Sequence, residues 1–500
     1  MIEGLVPVMA RPPIRVLTGP VLALVLAVSA CGGGDDAATT AAPTTTTAAP
    51  TTTAAPTTTA AAPTTTAAAP TTTAAPTTTA APTTTAAPTT SADDDSATPD
   101  DPVSPSVAAT VVRIGYAFPN LDAFAVLNKE FSIGDPQLQA EAVVNRWRRE
   151  GLLPDGIEVE LVFASYNIVG PTGKLGVCTS LAEDEEVFAV VSGLNFTAGA
   201  ECLATRFGVP VIDTDGTGPA VYQRSAPWLF TLRPDHVRYY FNYGQWALGQ
   251  GALQGKRVGL WFETPLTEGI EAMRALLEGE GIDIVTVTEI SGEGIGSPED
   301  QTIVQRFMDY DVEVVLPLIG GSSTTNMFGF AEKQGYRPVY LDDDFSEGTT
   351  DVAAKVNPAE QYDGTVAMTV TRVGEQAGGV DNPAAEACLA NYERYAGEDI
   401  SREPPESGEY ASILRTCDLF TILLAGLTGA ANDLTPDGLV AALETAGELE
   451  LVGSANGAFS AEDHSLVDEY RTVQWDASCP CWRAQTDFVS MAIGDAMSGE

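Results

Sequence analysis

The sequence predicts an α/β fold in two lobes of like size, each a parallel sheet covered by helices, and three observations predict it. From Val111 onward short β-branched runs alternate with helical patterns, the signature of repeated βαβ units and a parallel sheet. Two such series follow one another, divided near Arg233. The length, 500 residues, exceeds what one hydrophobic core usually holds, which favours two lobes plus tails.

The first strand is "VVRIGYAF", Val111 to Phe118. In "DPQLQAEAVVNRWRREG" Asp135 is placed to cap a helix, Pro136 takes its first position and Gly151 stops it. The strands "IEVELVFAS", "VFAVVSGL" and "VPVIDTD" follow, separated by the helical stretches "GKLGVCTSLAEDE" and "AGAECLATRFG". After "LFTLRPD" the second series begins with the helix "HVRYYFNYGQWALGQG". Its strands are "KRVGLWFE", "IDIVTVTEI", "VEVVLPLIGG" and "RPVYLDDDF", with "TEGIEAMRALLEGEG", "PEDQTIVQRFMDYD" and "TTNMFGFAEKQG" as the intervening helices.

Ahead of both series lies a leader. Arg11 and Arg15 precede an apolar stretch from Val16 to Ala30 that is too short to span a membrane and contains Gly19-Pro20, the layout of a secretory signal. Its end, "VSAC", resembles a bacterial lipobox, which implies that Cys31 becomes the first residue and carries lipid. From Ala37 to about Thr90 the chain repeats variants of "AAPTTT", and "SADDDSATPDDP" follows. Neither segment has enough apolar surface to offset the entropy of ordering, so both are expected to form a disordered tether. Its roughly 80 residues have a coil-like reach on the order of 50 Å.

Lipidation of Cys31 leaves Cys178, Cys202, Cys388, Cys417, Cys479 and Cys481, an even set in an exported chain, where disulfides are favoured. Six cysteines allow about 15 pairings. Chain order suggests Cys178 with Cys202, Cys388 with Cys417, and Cys479 with Cys481. The last pair would close a very small ring at "CPC", so a metal or a redox dithiol is the alternative there; two thiolates without further ligands are weak grounds for zinc.

The 25 basic and 68 acidic side chains give a net charge of −43, contrary to a nucleic-acid binder or a partner of anionic lipid headgroups. The only histidines, His236 and His464, form no metal or triad spacing, so the sequence predicts no enzyme, metal or cofactor. The glycine-rich "SGEGIGS" lacks a P-loop lysine and reads as a loop. The acidic "LDDDFSEGTTD" is a calcium candidate without EF-hand spacing.

Taken in order and spacing, "VFAVVSGL" with "GVPVIDTDGTGPAVY", "KRVGLWFETPLTEGIEAM", "GEYASILRTCDLFTILLAGL" and "GAFS" through "RTVQWD" resemble the type I periplasmic solute-binding proteins of the leucine/isoleucine/valine-binding kind. The resemblance covers about Val111 to Trp482. It implies two lobes joined by three crossings, near Arg233, Arg372 and Gly453, and hinge closure around a solute. The implied organisation is leader 1–30, stalk 31–110, lobe 1 from 111–233 with 373–453, lobe 2 from 234–372 with 454–490, and a tail 491–500.

Independently of the resemblance, ligands in open parallel sheets bind beyond the carboxyl ends of the strands. Thr197 in "GLNFTAG" and Thr217 in "DTDGTGPAVY" are candidates to hold a ligand carboxylate, the latter where the family's amino-acid binders place a hydroxyl. At "LDDDFSEG" the resemblance implies that Asp344, or Asp343 beside it, pairs with a ligand ammonium. Where those binders carry an aromatic wall, this chain offers Thr264 or Thr267 and Gly321 or Ser322, and Phe118 and Phe124 are candidates for the mouth. The function so implied is capture of a small polar, amino-acid-like solute by a lipid-anchored monomer on the outer face of a bacterial membrane, with delivery to an ABC permease. The alternative is a surface sensor read by a separate signalling partner.

Overall fold

The computed structural model describes residues 109–121, 132–290, 299–345 and 348–492; the leader, Cys31, the stalk and Phe124 lie outside them. The first sheet contains β1 (Thr110–Asn120), β2 (Ile157–Asn167), β3 (Ala189–Ser192), β4 (Val211–Asp213) and β5 (Leu229–Thr231) in the order β2-β1-β3-β4-β5. All its pairings are parallel, β1 lying against β2 from Thr110↔Ile157 to Asn120↔Asn167. Buried strands of this kind need helices on both faces, and the sequence supplies them. On one face Trp147 of helix Pro136–Glu150 and Tyr116 of β1 both meet Phe420 of helix Gly408–Gly429. On the other, Phe196, Leu203 and the Cys178–Cys202 disulfide fill the space between sheet and helices.

The helix stop signals act where expected. Asp135 accepts from the N–H groups of Gln137 and Leu138, and Gly151 ends the helix at φ 64°. A cap of this kind contributes about 1 kcal/mol. The two stretches carrying Cys178 and Cys202 begin as α-helix and then widen into π turns at Ser180–Asp184 and Leu203–Phe207.

The second sheet is built from β6 (Arg257–Glu263), β7 (Asp283–Ile290), β8 (Val314–Leu318), β9 (Val339–Asp342), β10 (Val366–Thr369), β11 (Glu469–Asp476), β12 (Cys481–Ala484) and β13 (Val489–Ser490). Its path runs β12-β11-β10-β9-β8-β6-β7, with β13 against β11. Here the structure corrects the expectation of a purely parallel sheet: β11 is antiparallel to β10, and β12 and β13 are antiparallel to β11. The reason is the connection. Parallel neighbours require a crossover of a dozen or more residues, whereas β11 reaches β12 through Ala477 to Pro480 alone, closed by the Cys479–Cys481 disulfide.

Between β10 and β11 the chain returns to the first sheet. Asn391 donates to the Ala142 carbonyl at 2.9 Å, and the hydroxyls of Ser412 and Thr416 donate to Gln139 at 2.9 and 3.1 Å. Cys388 and Cys417 join the two returning helices. The second of these, Gly408–Gly429, is long and apolar enough to cross a membrane, but its apolar face is packed inside the fold as a core helix.

Candidate functional site

Each sheet ends in polar loops at its carboxyl edge, and three segments link the parts. Thr231 of β5 donates to the His464 carbonyl and accepts from the Leu466 N–H, both at 2.9 Å. The Arg372 N–H donates to Gly453 at 2.9 Å, and Ala455 returns a bond to Val370 at 2.8 Å, so two linking segments form a short antiparallel ladder. The Arg372 guanidinium fixes that ladder from the side through the carbonyls of Leu451 and Ser454. Buried Asp418 holds it from below, accepting from the N–H groups of Val452 at 2.6 Å and Gly453 at 3.2 Å.

Beside this ladder lies a cavity of about 240 Å³. Thr214 and Arg233, just beyond β4 and β5, form one part of its wall; Thr349 and Asp351 beyond β9, and Thr371 beyond β10, form another. Glu406, just before the Gly408–Gly429 helix, and Arg415, within that helix, also border it, as do the charged side chains of Arg372, Glu375, Asp381, Glu386 and Arg402. Both sheets therefore contribute their carboxyl edges to one space. A space of that volume has room for several waters or a small solute.

Charge is unevenly arranged around it. Asp351 is buried and accepts the N–H of Trp482 through one oxygen and that of Glu406 through the other, both at 2.7 Å, which fastens the start of the returning helix to the second sheet. Burial raises its pKa to about 6. Glu406 is pushed up to about 8, first by burial and then by the neighbouring Asp351 charge. Glu375 is held by Arg372 at 3.1 Å and Arg471 at 3.0 Å. Arg233 pairs with Asp215 at 3.5 Å, and Asp215 also takes the Asn195 N–H. Asn195, at φ 59°, accepts from the buried Lys174 ammonium at 2.8 Å. Burial, with the Asp215 charge second, holds Asp213 well above the usual carboxylate range.

The sequence-predicted candidates are dispersed. Asp344 is buried, and its carboxylate accepts from the Thr349 hydroxyl and the Val370 N–H at 2.5 Å. Asp343 is buried against Tyr240 and accepts from the Phe345 N–H at 3.0 Å. Asp342 takes the Tyr362 hydroxyl at 2.5 Å. The three acids thus point to three separate partners inside the second sheet, and neither Asp343 nor Asp344 stands in the cavity wall. A carboxylate at the end of a fully buried strand is drawn inward to satisfy backbone and hydroxyl donors.

Thr217 is buried, its carbonyl accepting from His236, and Thr197 is the half-buried first residue of a short helix; neither borders the cavity. Thr264 is exposed and donates to Ile290 at 3.0 Å, while Thr267 donates back to Thr264 at 2.7 Å. Phe118 is buried in the core beside Tyr116. The side chain of Ser322 and the whole of Phe124 lie outside what is described. Among the described residues no group of three or more His, Cys, Asp or Glu is placed to hold a metal ion. His464 stacks on Phe230, away from the cavity wall.

Arg415 and Glu406 escaped the sequence reading. The signal was present: Arg415 is the one cation in the 22-residue apolar helix "GEYASILRTCDLFTILLAGLTG". A lone arginine on such a helix has to reach a polar space.

The pattern defining a family described as periplasmic binding protein matches residues 151–480. No curated protein sequence matches the chain. Among solved structures, a branched-chain amino acid ABC transporter protein from Thermus thermophilus with bound valine superposes with TM-score 0.61 at 12% identity, over 79% of this chain and 99% of that one. A solute-binding protein from Rhodopseudomonas palustris BisB5 in complex with 3,4-dihydroxybenzoic acid gives 0.59 at 14%, over 76% and 97%. A type 1 periplasmic binding protein from Bordetella pertussis Tohama I gives 0.61 at 16%, over 76% and 100%.

Proposed function

The chain belongs to the periplasmic binding protein family, and on that premise we propose that it captures a small solute in the cavity beside its three linking segments and delivers it to an ABC permease. Its place is outside the cytoplasm, as that of its family is. The observation that carries the reading is the shared wall: Thr214 and Arg233 from the first sheet's edge and Thr349 and Thr371 from the second's face one space next to a ladder of only a few hydrogen bonds. Two stiff sheets on a thin connection can close on a ligand with little internal rearrangement.

The mechanism is binding and closure. Solute bridging the two edges stabilises the closed form by RT ln(1 + [L]/Kd), about 2.7 kcal/mol at a hundredfold excess over Kd. Lipid on Cys31 and the threonine-proline stalk would hold the binding lobes at the membrane surface, within reach of a permease.

Native mass spectrometry of the purified full chain tests the reading. The expected result is a small solute that leaves on unfolding and restores thermal stability when added back. Chemical conversion of that solute by the protein, or the lack of any bound or stabilising solute, would contradict it.

A further inference from the structure

We propose that the Cys479–Cys481 disulfide is a site of thiol–disulfide exchange with an external dithiol, an activity separate from solute capture. The disulfides among the described residues differ in what they close. The partners of Cys178–Cys202 and Cys388–Cys417 stand 24 and 29 positions apart in the chain, those of Cys479–Cys481 only 2. A cross-link stabilises chiefly by constraining the unfolded chain, the more so the longer its loop, so a ring closed around Pro480 alone restrains almost nothing. Nor does the turn need it. β11 and β12 are paired from Val473↔Ala484 to Asp476↔Cys481. Asp476 accepts the Ser478 N–H and the Arg483 guanidinium, both at 2.8 Å, and the Ala477 N–H donates to Asp363 at 3.0 Å. These bonds hold the hairpin whether the ring is closed or open, which is what a disulfide that exchanges within a folded chain requires.

Access separates the pairs as well. Cys178, Cys202 and Cys388 are buried among packed helices and Cys417 lies against the same core, so a thiolate reaches those bridges only if helices part. Cys479 is half-buried at the hairpin tip between exposed Ser478 and Pro480, whereas Cys481 is fully buried. Exposed disulfides are the labile ones, and attack here falls on the Cys479 sulfur. One thiolate of the dithiol bonds to that Sγ, the S–S bond breaks, and the electron pair leaves on the Cys481 Sγ, which takes a proton. The second thiolate then attacks the dithiol's own sulfur in the mixed disulfide and expels Cys479 as a thiolate. Two electrons pass to the protein, and the dithiol departs as a disulfide. A monothiol has no second group to complete the exchange, and Cys481, one residue beyond Pro480, recloses the ring. Asp476 and Asp363 beside the turn further disfavour an anionic thiol.

The test is reduction of the folded full chain in detergent with dithiothreitol or with glutathione, followed by alkylation and mass mapping of each cysteine pair. Dithiothreitol is expected to open Cys479–Cys481 at least about tenfold faster than Cys178–Cys202 or Cys388–Cys417, and glutathione to open it far less. The circular dichroism spectrum and the denaturation midpoint are expected to stay unchanged once that ring alone is open. The oxidised chain is also expected to convert a short peptide dithiol to its disulfide in stoichiometric amount, and the double change Cys479→Ser and Cys481→Ser to abolish this. Should the double variant misfold, the order of reduction in the unaltered chain decides. Equal rates at the three pairs, loss of structure when Cys479–Cys481 opens, undiminished peptide oxidation in the double variant, or purification of Cys479 and Cys481 as thiols holding a metal ion overturns the assignment.

Discussion

Asp418 sits on an apolar helix and does not border the cavity, yet its carboxylate holds the linking ladder. Its carboxylate receives the Val452 and Gly453 N–H groups in a buried setting, and Gly453 has no room for a side chain, since an added Cβ would stand 2.9 Å from the Leu414 Cβ and 3.2 Å from an Asp418 oxygen. Removing the acceptor leaves buried donors unpaired, so Asp418→Ala is expected to cost about 2 to 4 kcal/mol, read as a lower denaturation midpoint in urea. Asp418→Asn keeps an acceptor and is expected to cost less. Residue identity was the hardest thing to read in advance: the order "LDDDF" announces clustered acids, but only the three-dimensional neighbours Tyr362, Thr349 and Val370 reveal that they face inward. Arg415 was legible by its isolation among apolar residues, and Glu406 was not, because its environment is made by Asp351 and Glu375, far away in the chain.

Among the elements, the two helices that return to the first sheet are joined by Cys388 and Cys417, 29 residues apart. Cross-linking a loop of that length constrains the unfolded chain by about 3 to 4 kcal/mol. The double change Cys388→Ser and Cys417→Ser is accordingly expected to lower stability by up to that amount, measured by denaturant titration, while the first sheet's far-side disulfide, Cys178–Cys202, still forms. Elements were the most legible scale. Asp135, Pro136 and Gly151 mark both ends of a helix through chemistry local to those residues, and local signals survive in sequence. The antiparallel edge of the second sheet was not legible, since pairing of β11 with β10 joins Arg471 to Thr369 across a hundred residues of intervening chain. The alternating pattern of β11 specifies a strand, not its neighbour or direction.

At the scale of the whole molecule, buried acids set the response to pH. Burial raises Asp342, Asp351 and Asp418 to about 6 and Glu406 to about 8. The folded state therefore holds protons that the unfolded chain releases near pH 4, and the stability these groups contribute is complete below about pH 4 and lost as the pH rises toward 8. Asp476 runs the opposite way: bonds from Ser478 and Arg483 hold it at about 2, and its contribution is lost only in stronger acid. Tm is thus expected to be higher at pH 5 than at pH 8, and Glu406→Gln is expected to flatten the upper part of that slope. The proposed lipid anchor is tested at this scale as well: if Cys31 carries lipid, Cys31→Ser is expected to move the protein from the membrane fraction to the soluble exported fraction, read by fractionation and blotting.

In the proposed function one solute touches both sheets at the cavity. Hydrogen–deuterium exchange of the full chain, with and without saturating solute identified by native mass spectrometry, addresses it directly. Binding in this cavity predicts simultaneous protection of Thr214 to Arg233, Thr349 to Val373 and Glu406 to Arg415, with the outer helix Pro136–Glu150 unchanged. Protection confined to one sheet, or centred on any other part of the chain, would contradict it.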